Sequence, residues 1–213
     1  RQILEIKFNN KIYNIELNLI GKIQIKNILM AILAASKSNI KFEKIIDVIH
    51  KIKPVEGRIE KIGSIRNNSK VILDYAHTPA ALKLTLSNLK EQFPSSRISL
   101  LFGCGGNRDL KKRAIMGKIA EEHSNKIYLT DDNPRYENPL KIRKDIKKGI
   151  KKIKVYEIPN RKKAIFQAIK GLKTGDLLLV AGKGHEKIQD YGKKKLFFSD
   201  KEVILKSIKS KNK

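Results

Sequence analysis

The sequence predicts an α/β fold with a Rossmann-like, mainly parallel sheet that carries helices on both faces. From Gly57 onward, short apolar runs such as KVILD and RISLLF alternate with longer segments that have apolar residues at helical spacing. Polar, glycine-rich loops separate them, and the helix-start pairs Thr78-Pro79 and Asn138-Pro139 follow two of these loops. Repeated strand, loop and helix units give a parallel sheet, because each helix crosses over between strands.

The segment before Gly57 has a different pattern. Residues 1–20 alternate apolar and polar around Asn9-Asn10, which predicts a β-hairpin. Two stretches with helical spacing follow, NILMAILAASKS and KFEKIIDVIHKI, and Lys53-Pro54 ends the second. After Gly57 the predicted strands are KVILD, RISLLF, KIYL, KVYEI, DLLLVA and KLFF, and the predicted helices begin near Pro79, Asp109, Pro139, Arg161 and Asp200.

Composition narrows the class of protein. The 213 residues are 40% hydrophobic, which is enough for a packed core. The single cysteine, Cys104, excludes an internal disulfide framework and fits a reducing compartment. No apolar run approaches the roughly 20 residues of a membrane span, and the first residues contain no signal-peptide pattern. We therefore expect a soluble cytoplasmic protein with no membrane partner.

The net charge of +26 raises nucleic-acid binding as an alternative function. However, the lysines are spread over the whole length, without an arginine-rich cluster and with few aromatic residues among them. This distribution favours a solvated basic surface and no nucleic-acid partner. The positive charge would still favour binding of anionic ligands such as nucleotides.

Four predicted loops follow strands and contain most of the unusual polar residues. They hold Asp74 and His77, Gly103 to Arg108, Asp131 to Arg135, and Gly182 to Glu186. In a parallel sheet, the loops at the carboxyl ends of the strands open on one edge, where ligands bind. The sequence therefore predicts a binding site built from these loops.

Familiar cofactor motifs do not fit these loops. Arg108 stands where the dinucleotide fingerprint requires its third glycine, and the pattern G-x-x-x-x-G-K-[ST] occurs nowhere in the chain. The histidine and cysteine spacing contains no zinc signature, so we expect no metal site. Cys104 is better explained as a small buried thiol than as a nucleophile. The glycines at positions 103, 105 and 106 allow positive φ angles and close approach of a ligand to the backbone.

The loop TDDNPR combines opposite charges. Asp131, Asp132, Asn133 and Arg135 offer carboxylates, an amide and a cation within five residues. A zwitterionic amino acid, which has both ammonium and carboxylate groups, would satisfy this mixture. The alternative is an ordinary turn whose charges pair with one another.

Four motifs together resemble those of a known family. They are DYAHTP (Asp74 to Pro79), FGCGGNRD (Phe102 to Asp109), TDDNPR (Thr130 to Arg135) and AGKGHE (Ala181 to Glu186). In this order they resemble the C-terminal part of the UDP-N-acetylmuramoyl-tripeptide synthetases, the Mur ligases that add meso-diaminopimelate to a peptidoglycan precursor. GRIE, from Gly57, and GKIQIKN, from Gly21, also fit, except that Gln24 replaces the usual Asn.

The resemblance implies an ATP- and Mg²⁺-dependent ligase that joins meso-diaminopimelate to UDP-MurNAc-L-Ala-D-Glu through an acyl phosphate. Arg135 would bind the distal carboxylate that lysine lacks, so a Mur-type ligase for another amino acid is the nearest alternative. No residue of this chain matches a catalytic residue or a metal ligand. The residues that match the diaminopimelate site are Arg108, Asp132, Asn133, Arg135, Gly182 and Glu186, and those on the ATP side are Arg58, Asp74 and His77.

The resemblance also implies a domain division. Residues 1–53 match the tail of the family's central ATP-binding domain, and residues 57–213 match its C-terminal domain. In the family, the phosphate loop, the Mg²⁺ ligands and the UDP-binding domain lie upstream of the matched part. We therefore expect a fragment of a bacterial enzyme that has no ligase activity alone.

Overall fold

The computed structural model describes residues 2–212. The chain forms two compact units, the first ending at Val55 and the second beginning at Glu56. The change of pattern near Gly57 therefore coincides with a boundary between units.

The first unit is a hairpin packed on two helices. Strands β1 (Gln2–Phe8) and β2 (Lys11–Leu17) pair antiparallel, and both turn residues, Asn9 and Asn10, have positive φ. Asparagine tolerates this left-handed conformation, which a two-residue hairpin turn requires. The hairpin and the helices α1 (Lys22–Lys37) and α2 (Phe42–Ile49) confirm the prediction, although α1 begins ahead of the predicted stretch. Their shared core contains Ile15, Leu17, Leu19, Ile28, Ile32, Phe42, Ile45 and Ile49.

The second unit confirms the predicted α/β fold. Its sheet has the order β3-β4-β8-β5-β6-β7, and every neighbouring pair is parallel except β3 and β4. The elements are β3 (Glu60–Ser64), β4 (Lys70–Asp74), α3 (Pro79–Gln92), β5 (Ile98–Phe102), α4 (Lys111–His123), β6 (Lys126–Leu129), α5 (Pro139–Lys147), β7 (Val155–Glu157), α6 (Arg161–Lys170), β8 (Leu177–Ala181), β9 (Ile188–Asp190), β10 (Lys195–Phe197) and α7 (Asp200–Lys211).

Helices cover both faces of this sheet. On one face, α6 and α7 pack over alternate strand residues such as Leu73, Leu101 and Val180. The strand residues between them point to the other face, where α3, α4 and α5 lie side by side. The central strands β5 and β8 are buried along their whole length, as expected for a parallel sheet between two helical layers.

Two strands are not predicted by the sequence. The edge strand β3 has the sequence EKIGS, which is short, half-buried and interrupted by a bulge before Gly63. The strand β9 has only three residues, IQD, and pairs with the predicted strand β10 in a separate two-stranded sheet. Neither segment has the apolar run that identifies the central strands.

Within residues 2–212, no helix is long and apolar enough to span a bilayer.

Candidate functional site

A cavity of about 520 Å³ opens at the carboxyl edge of the sheet. Its walls come from the loops after β4, β5, β6 and β8, so the structure brings the four predicted loops together. Seven of the nine residues proposed from the sequence line it: His77, Arg108, Asp132, Asn133, Arg135, Gly182 and Glu186. The other two, Arg58 and Asp74, are not part of its lining.

The glycines after β5 let two loops pack backbone against backbone. A Cβ atom at Gly103 would overlap with the carbonyl oxygen of Thr130, and one at Gly106 would overlap with that of Pro134. None of the glycines at 103, 105 and 106 has a positive φ, so the left-handed conformation that glycine allows is not used at these positions. Gly103 and Gly106 are required because the backbone of the loop after β6 leaves no space for a side chain at either position.

The loop after β6 is fixed at its base by Asp131. This carboxylate forms a buried ion pair with Arg143 of α5, and the backbone N–H of Asp131 donates to the carbonyl of Pro159 at 3.1 Å. Burial raises the pKa of Asp131 above its usual range, although Arg143 opposes the shift. The contacts with Arg143 and Pro159 anchor the loop. Asp131 itself does not line the cavity.

Asn133 and Lys183, which are buried, form a hydrogen-bonded cluster with the partly buried Glu186. The ammonium of Lys183 donates to Asn133 Oδ1 at 2.9 Å and to Glu186 Oε2 at 3.1 Å. Asn133 Nδ2 donates to the same Glu186 oxygen at 3.0 Å, and the hydroxyl of Tyr75 donates to Glu186 Oε1 at 3.3 Å. The cluster joins the loops after β4, β6 and β8.

Asp132 lines the cavity, and one of its carboxylate oxygens, Oδ2, is buried. Its Oδ2 has no hydrogen-bond partner within residues 2–212 and lies 3.9 Å from the guanidinium of Arg161, which is buried behind it. Gly182, with φ 114°, makes room for this oxygen, since a Cβ there would lie 2.7 Å from it. Burial raises the pKa of Asp132, while the nearby charges of Arg161 and Lys183 lower it.

Arg135 and Arg108 add positive charge to the lining of the cavity. Arg135 has a positive φ of 52°, and its Nη1 donates to the carbonyl of Gly106 at 2.9 Å. Its Nε lies 3.9 Å from Asp190, so this guanidinium is oriented by the protein. Arg108 is exposed and makes no hydrogen bond or ion pair within the described part of the chain.

Asp74 has a structural role in the loop after β4. Its two carboxylate oxygens accept hydrogen bonds from Ile59 N at 2.8 Å, Ala76 N at 3.0 Å and Thr85 Oγ1 at 3.0 Å. The carboxylate is buried, and both of its oxygens accept these hydrogen bonds. Asp74 therefore fixes the loop after β4 to Ile59 and to Thr85 of α3.

Tyr75 connects the two remaining residues on the predicted ATP side. The guanidinium of Arg58 lies 4.4 Å from the centre of the Tyr75 ring, and the ring of His77 contacts Tyr75 edge-on at 4.6 Å. Both Arg58 and His77 are exposed. Tyr75 and His77 line the cavity, and Arg58 contacts Tyr75 but is not part of the lining.

The thiol of Cys104 is not suited to act as a nucleophile. Burial raises its pKa to about 12, so the thiol stays protonated at neutral pH. Its sulfur lies 3.7 Å from that of Met116 in the core. The interpretation of Cys104 as a small buried hydrophobic residue is confirmed.

Sequence reasoning missed Lys183, Arg161 and Tyr75. Lys183 lies inside the motif AGKGHE, but nothing in the letters distinguishes a buried lysine from the many exposed ones. Arg161 is the first residue of α6 and forms a two-point ion pair with Asp200, at 2.8 and 2.7 Å. A positive charge at a helix start is unfavourable unless it has a negatively charged partner. An arginine at the predicted start of α6 could therefore have indicated an ion pair.

Within residues 2–212, no group of three or more His, Cys, Asp or Glu side chains could hold a metal ion.

Comparison with known proteins connects this geometry to a family. The family model described as "Mur ligase, glutamate ligase domain" matches residues 57–184. The UDP-N-acetylmuramoyl-L-alanyl-D-glutamate--2,6-diaminopimelate ligase of Rickettsia rickettsii is 46% identical over 209 residues, which are 98% of this chain and 43% of that protein. The ligase of the same name from Buchnera aphidicola is 46% identical over 195 residues, 91% of this chain and 38% of that protein.

Solved structures agree with these matches. A structure of a ligase with this name superposes with a TM-score of 0.74 at 31% identity, over 99% of this chain and 43% of that one. The folylpolyglutamate synthase of Mycobacterium tuberculosis, at 18% identity and a TM-score of 0.63, shares the fold. The chain thus spans less than half the length of these curated relatives. Its sequence, its fold and its four converging loops agree on one assignment: the chain belongs to the Mur ligase family.

Proposed function

We propose that the chain is the C-terminal part of an ATP-dependent ligase that adds meso-diaminopimelate to UDP-MurNAc-L-Ala-D-Glu in peptidoglycan synthesis, and that the cavity is its amino-acid site. The observation that carries this proposal is the arrangement of charge around one cavity, with Arg108 and Arg135 as cations and Asp132 and Glu186 as carboxylates. The names of the relatives supply the substrate.

The charges suit a ligand with amino-acid groups at both ends. Arg135 has a fixed orientation and Arg108 is free to pair, so each can bind a carboxylate through two N–H groups. The carboxylates of Asp132 and Glu186, which line the same cavity, can accept hydrogen bonds from ammonium groups. A lysine would lack the distal carboxylate and would leave one guanidinium unpaired, which disfavours its binding.

The residues on the ATP side fit the proposal unequally. Arg58 and His77 are exposed around Tyr75, so they can reach a nucleotide. Asp74 is occupied by three protein donors, and we assign it the role of holding this loop instead. ATP supplies the phosphoryl group that makes the substrate carboxylate a good acyl donor. We assign no Mg²⁺ ligand to this chain, because the described residues provide no suitable cluster.

We further propose that residues 1–53 are the tail of the central ATP-binding domain and that residues 57–213 are the C-terminal domain of a bacterial cytoplasmic enzyme. The phosphate-loop pattern is absent from the sequence, so we expect the purified chain to lack ligase activity. Turnover of ATP by the chain, in the presence of both substrates, would contradict this expectation.

A ligand series on the isotope-labelled chain tests the proposed site. meso-Diaminopimelate, L-lysine and pimelate differ only in charged groups: lysine lacks one carboxylate, and pimelate lacks both ammonium groups. We expect chemical-shift changes around Arg108, Asp132 and Glu186 with meso-diaminopimelate and much weaker ones with the other two ligands. Equal responses to all three ligands would show that the cavity does not recognise an amino acid of this class.

The same titration tests the nearest alternative. A stronger response to another amino acid would assign the chain to a Mur-type ligase of different specificity. Nucleic-acid binding needs a separate titration with nucleic acid, in which it would appear as shifts spread over many lysines, with an affinity that falls steeply as salt is raised.

A further inference from the structure

Lys183 is a lysine whose side chain is completely buried in the wall of the proposed site. It follows β8, and its ammonium donates to three acceptors: Asn133 Oδ1, Glu186 Oε2 and, at 2.5 Å, the carbonyl of Ile188. An ammonium has three N–H donors, so all of them are used inside the protein. Lys183 itself is not part of the cavity lining, whereas Asn133 and Glu186 are.

The contacts of Lys183 leave Asn133 a single orientation. Asn133 Oδ1 accepts from Lys183 and also from the backbone N–H of Asp190 at 3.0 Å, while Nδ2 donates to Glu186. A rotated amide would place its NH₂ group against two donors. Because both ends of the amide are occupied, Asn133 has a fixed orientation and adds a second hydrogen bond to the Glu186 oxygen that Lys183 contacts.

The buried ammonium also sets the charge in this wall. A buried lysine is unfavourable unless it is paired and hydrogen-bonded, and Glu186 provides the opposite charge at 3.1 Å. We propose that Lys183 is a positioning residue for amino-acid binding, a role that rests on the proposed function of the site: it fixes Glu186 and Asn133 from behind, so that Glu186 faces the ligand as an oriented carboxylate.

The ionisation of Glu186 provides a readout that does not require ligand. Partial burial raises the pKa of Glu186, but the charge and hydrogen bond of Lys183, together with the hydrogen bonds from Asn133 and Tyr75, bring the pKa below its usual value. Without Lys183, burial would act against fewer opposing contacts, so the pKa of Glu186 should rise. A lysine that only fills space in the core would leave this pKa unchanged.

The variant Lys183→Met keeps the length of the side chain and removes its charge and donors. The matched control is Lys211→Met, because Lys211 also donates to three acceptors, the carbonyls of Ile169, Lys170 and Leu172, and does not line the cavity. Three quantities are compared with the wild type: the pKa of the Glu186 carboxyl and the resonance of the Asn133 side-chain amide, both without ligand, and the affinity for meso-diaminopimelate.

In Lys183→Met we expect a raised pKa of Glu186, a shifted Asn133 amide resonance and an affinity at least about tenfold weaker. Lys211→Met should match the wild type in all three measurements. Unchanged Glu186 and Asn133 signals in a folded Lys183→Met protein would overturn the positioning role, whatever the ligand does. If those signals change but the wild type itself does not bind meso-diaminopimelate, the proposed function fails while the positioning of Glu186 stands.

A measurement on the wild type covers the case in which Lys183→Met does not fold. A buried ammonium with three hydrogen bonds exchanges its protons slowly with water, so the Lys183 Nζ resonance should be visible at neutral pH. During acid titration it should shift with the same midpoint as the Asn133 amide, because both groups contact Glu186. Independent midpoints, or a Lys183 resonance typical of a solvated ammonium, would contradict the proposal.

Discussion

At the scale of single residues, Gly106 determines how closely the loops of the site can pack. A Cβ there would overlap with the carbonyl of Pro134, which belongs to the backbone and has little freedom to move. We expect Gly106→Ala to lower the free energy of unfolding by about 1–3 kcal/mol, as for other overpacked sites. It should also weaken amino-acid binding, because the loop that carries Asp132 and Arg135 must shift. Urea denaturation and ligand titration measure these effects.

Gly175→Ala is the control for this substitution. Gly175 has a φ of 75° and no atom near its Cβ position, and it lies in the turn before β8, at the other edge of the sheet. Alanine there should destabilise the protein by about 1–2 kcal/mol through backbone strain while leaving ligand affinity unchanged. If Gly106→Ala behaved in the same way, packing of the two loops would not control the site.

Single residues also show how far the sequence alone predicts the site. Charged or polar residues at strand ends, such as Arg135 and Asp132, are recognisable because parallel strands bring their following loops together. The position of Lys183 is not, since it depends on burial by loops that are distant in the chain. The role of Asp74 was also hidden, because its donors include Ile59 and Thr85 from other segments.

At the scale of elements, α6 and α7 begin at a buried ion pair. Arg161 and Asp200 are the first residues of these helices, and Arg161 also donates to the carbonyl of Ala181 at the end of β8, at 3.0 Å. Arg161→Met should reduce the free energy of unfolding by about 3–5 kcal/mol, because it leaves the charge of Asp200 buried without a partner.

A double-mutant cycle isolates this pairing. The variant Arg161→Met with Asp200→Leu removes both charges, so its stability should lie closer to that of the wild type than that of Arg161→Met alone. Urea denaturation of Arg161→Met, Asp200→Leu and the double variant gives the coupling free energy. Destabilisations that simply add would mean that the pair is not what holds the two helix starts.

Helix starts are the best-predicted features among the elements. Thr78 and Asn138 cap α3 and α5 with side-chain hydrogen bonds to Ala81 N and Leu140 N, and a proline follows each cap. These signals are local, so the sequence contains them completely. The strands β3 and β9 depend on partners elsewhere in the chain, and that information is absent from their own few residues.

At the scale of the whole molecule, we expect stability to fall in acid. Partial burial raises the pKa of Glu157, but the hydrogen bonds and positive charges of Arg143 and Lys147 together lower the pKa below the unfolded value. The stabilisation from such a group is present above the unfolded pKa and is lost as pH falls through the folded pKa. The same direction holds for Glu121, Glu137, Asp145 and Glu186.

Two groups act in the opposite direction. Burial raises the pKa values of Asp131 and Asp132. Protonation in acid therefore removes part of the free-energy cost of burying these two charged carboxylates. The five carboxylates with a lowered pKa outnumber these two. Protonation of carboxylates also adds positive charge to a protein whose net charge is already +26 at pH 7. The urea midpoint should therefore fall from about pH 5 downward, and less so in Glu157→Gln. A midpoint that is constant or rises in acid would contradict this balance of charges.

The central claim is that the cavity recognises an amino acid with two charged ends and that Arg135 selects the distal carboxylate. The most direct test is the ratio of affinities for meso-diaminopimelate and L-lysine in the wild type, in Arg135→Ala and in Arg97→Ala, a control with an exposed arginine that precedes β5 at the other edge of the sheet. We predict a ratio of at least about tenfold in the wild type and in Arg97→Ala, and a ratio near one in Arg135→Ala. A preference for diaminopimelate that survives in Arg135→Ala would contradict the account.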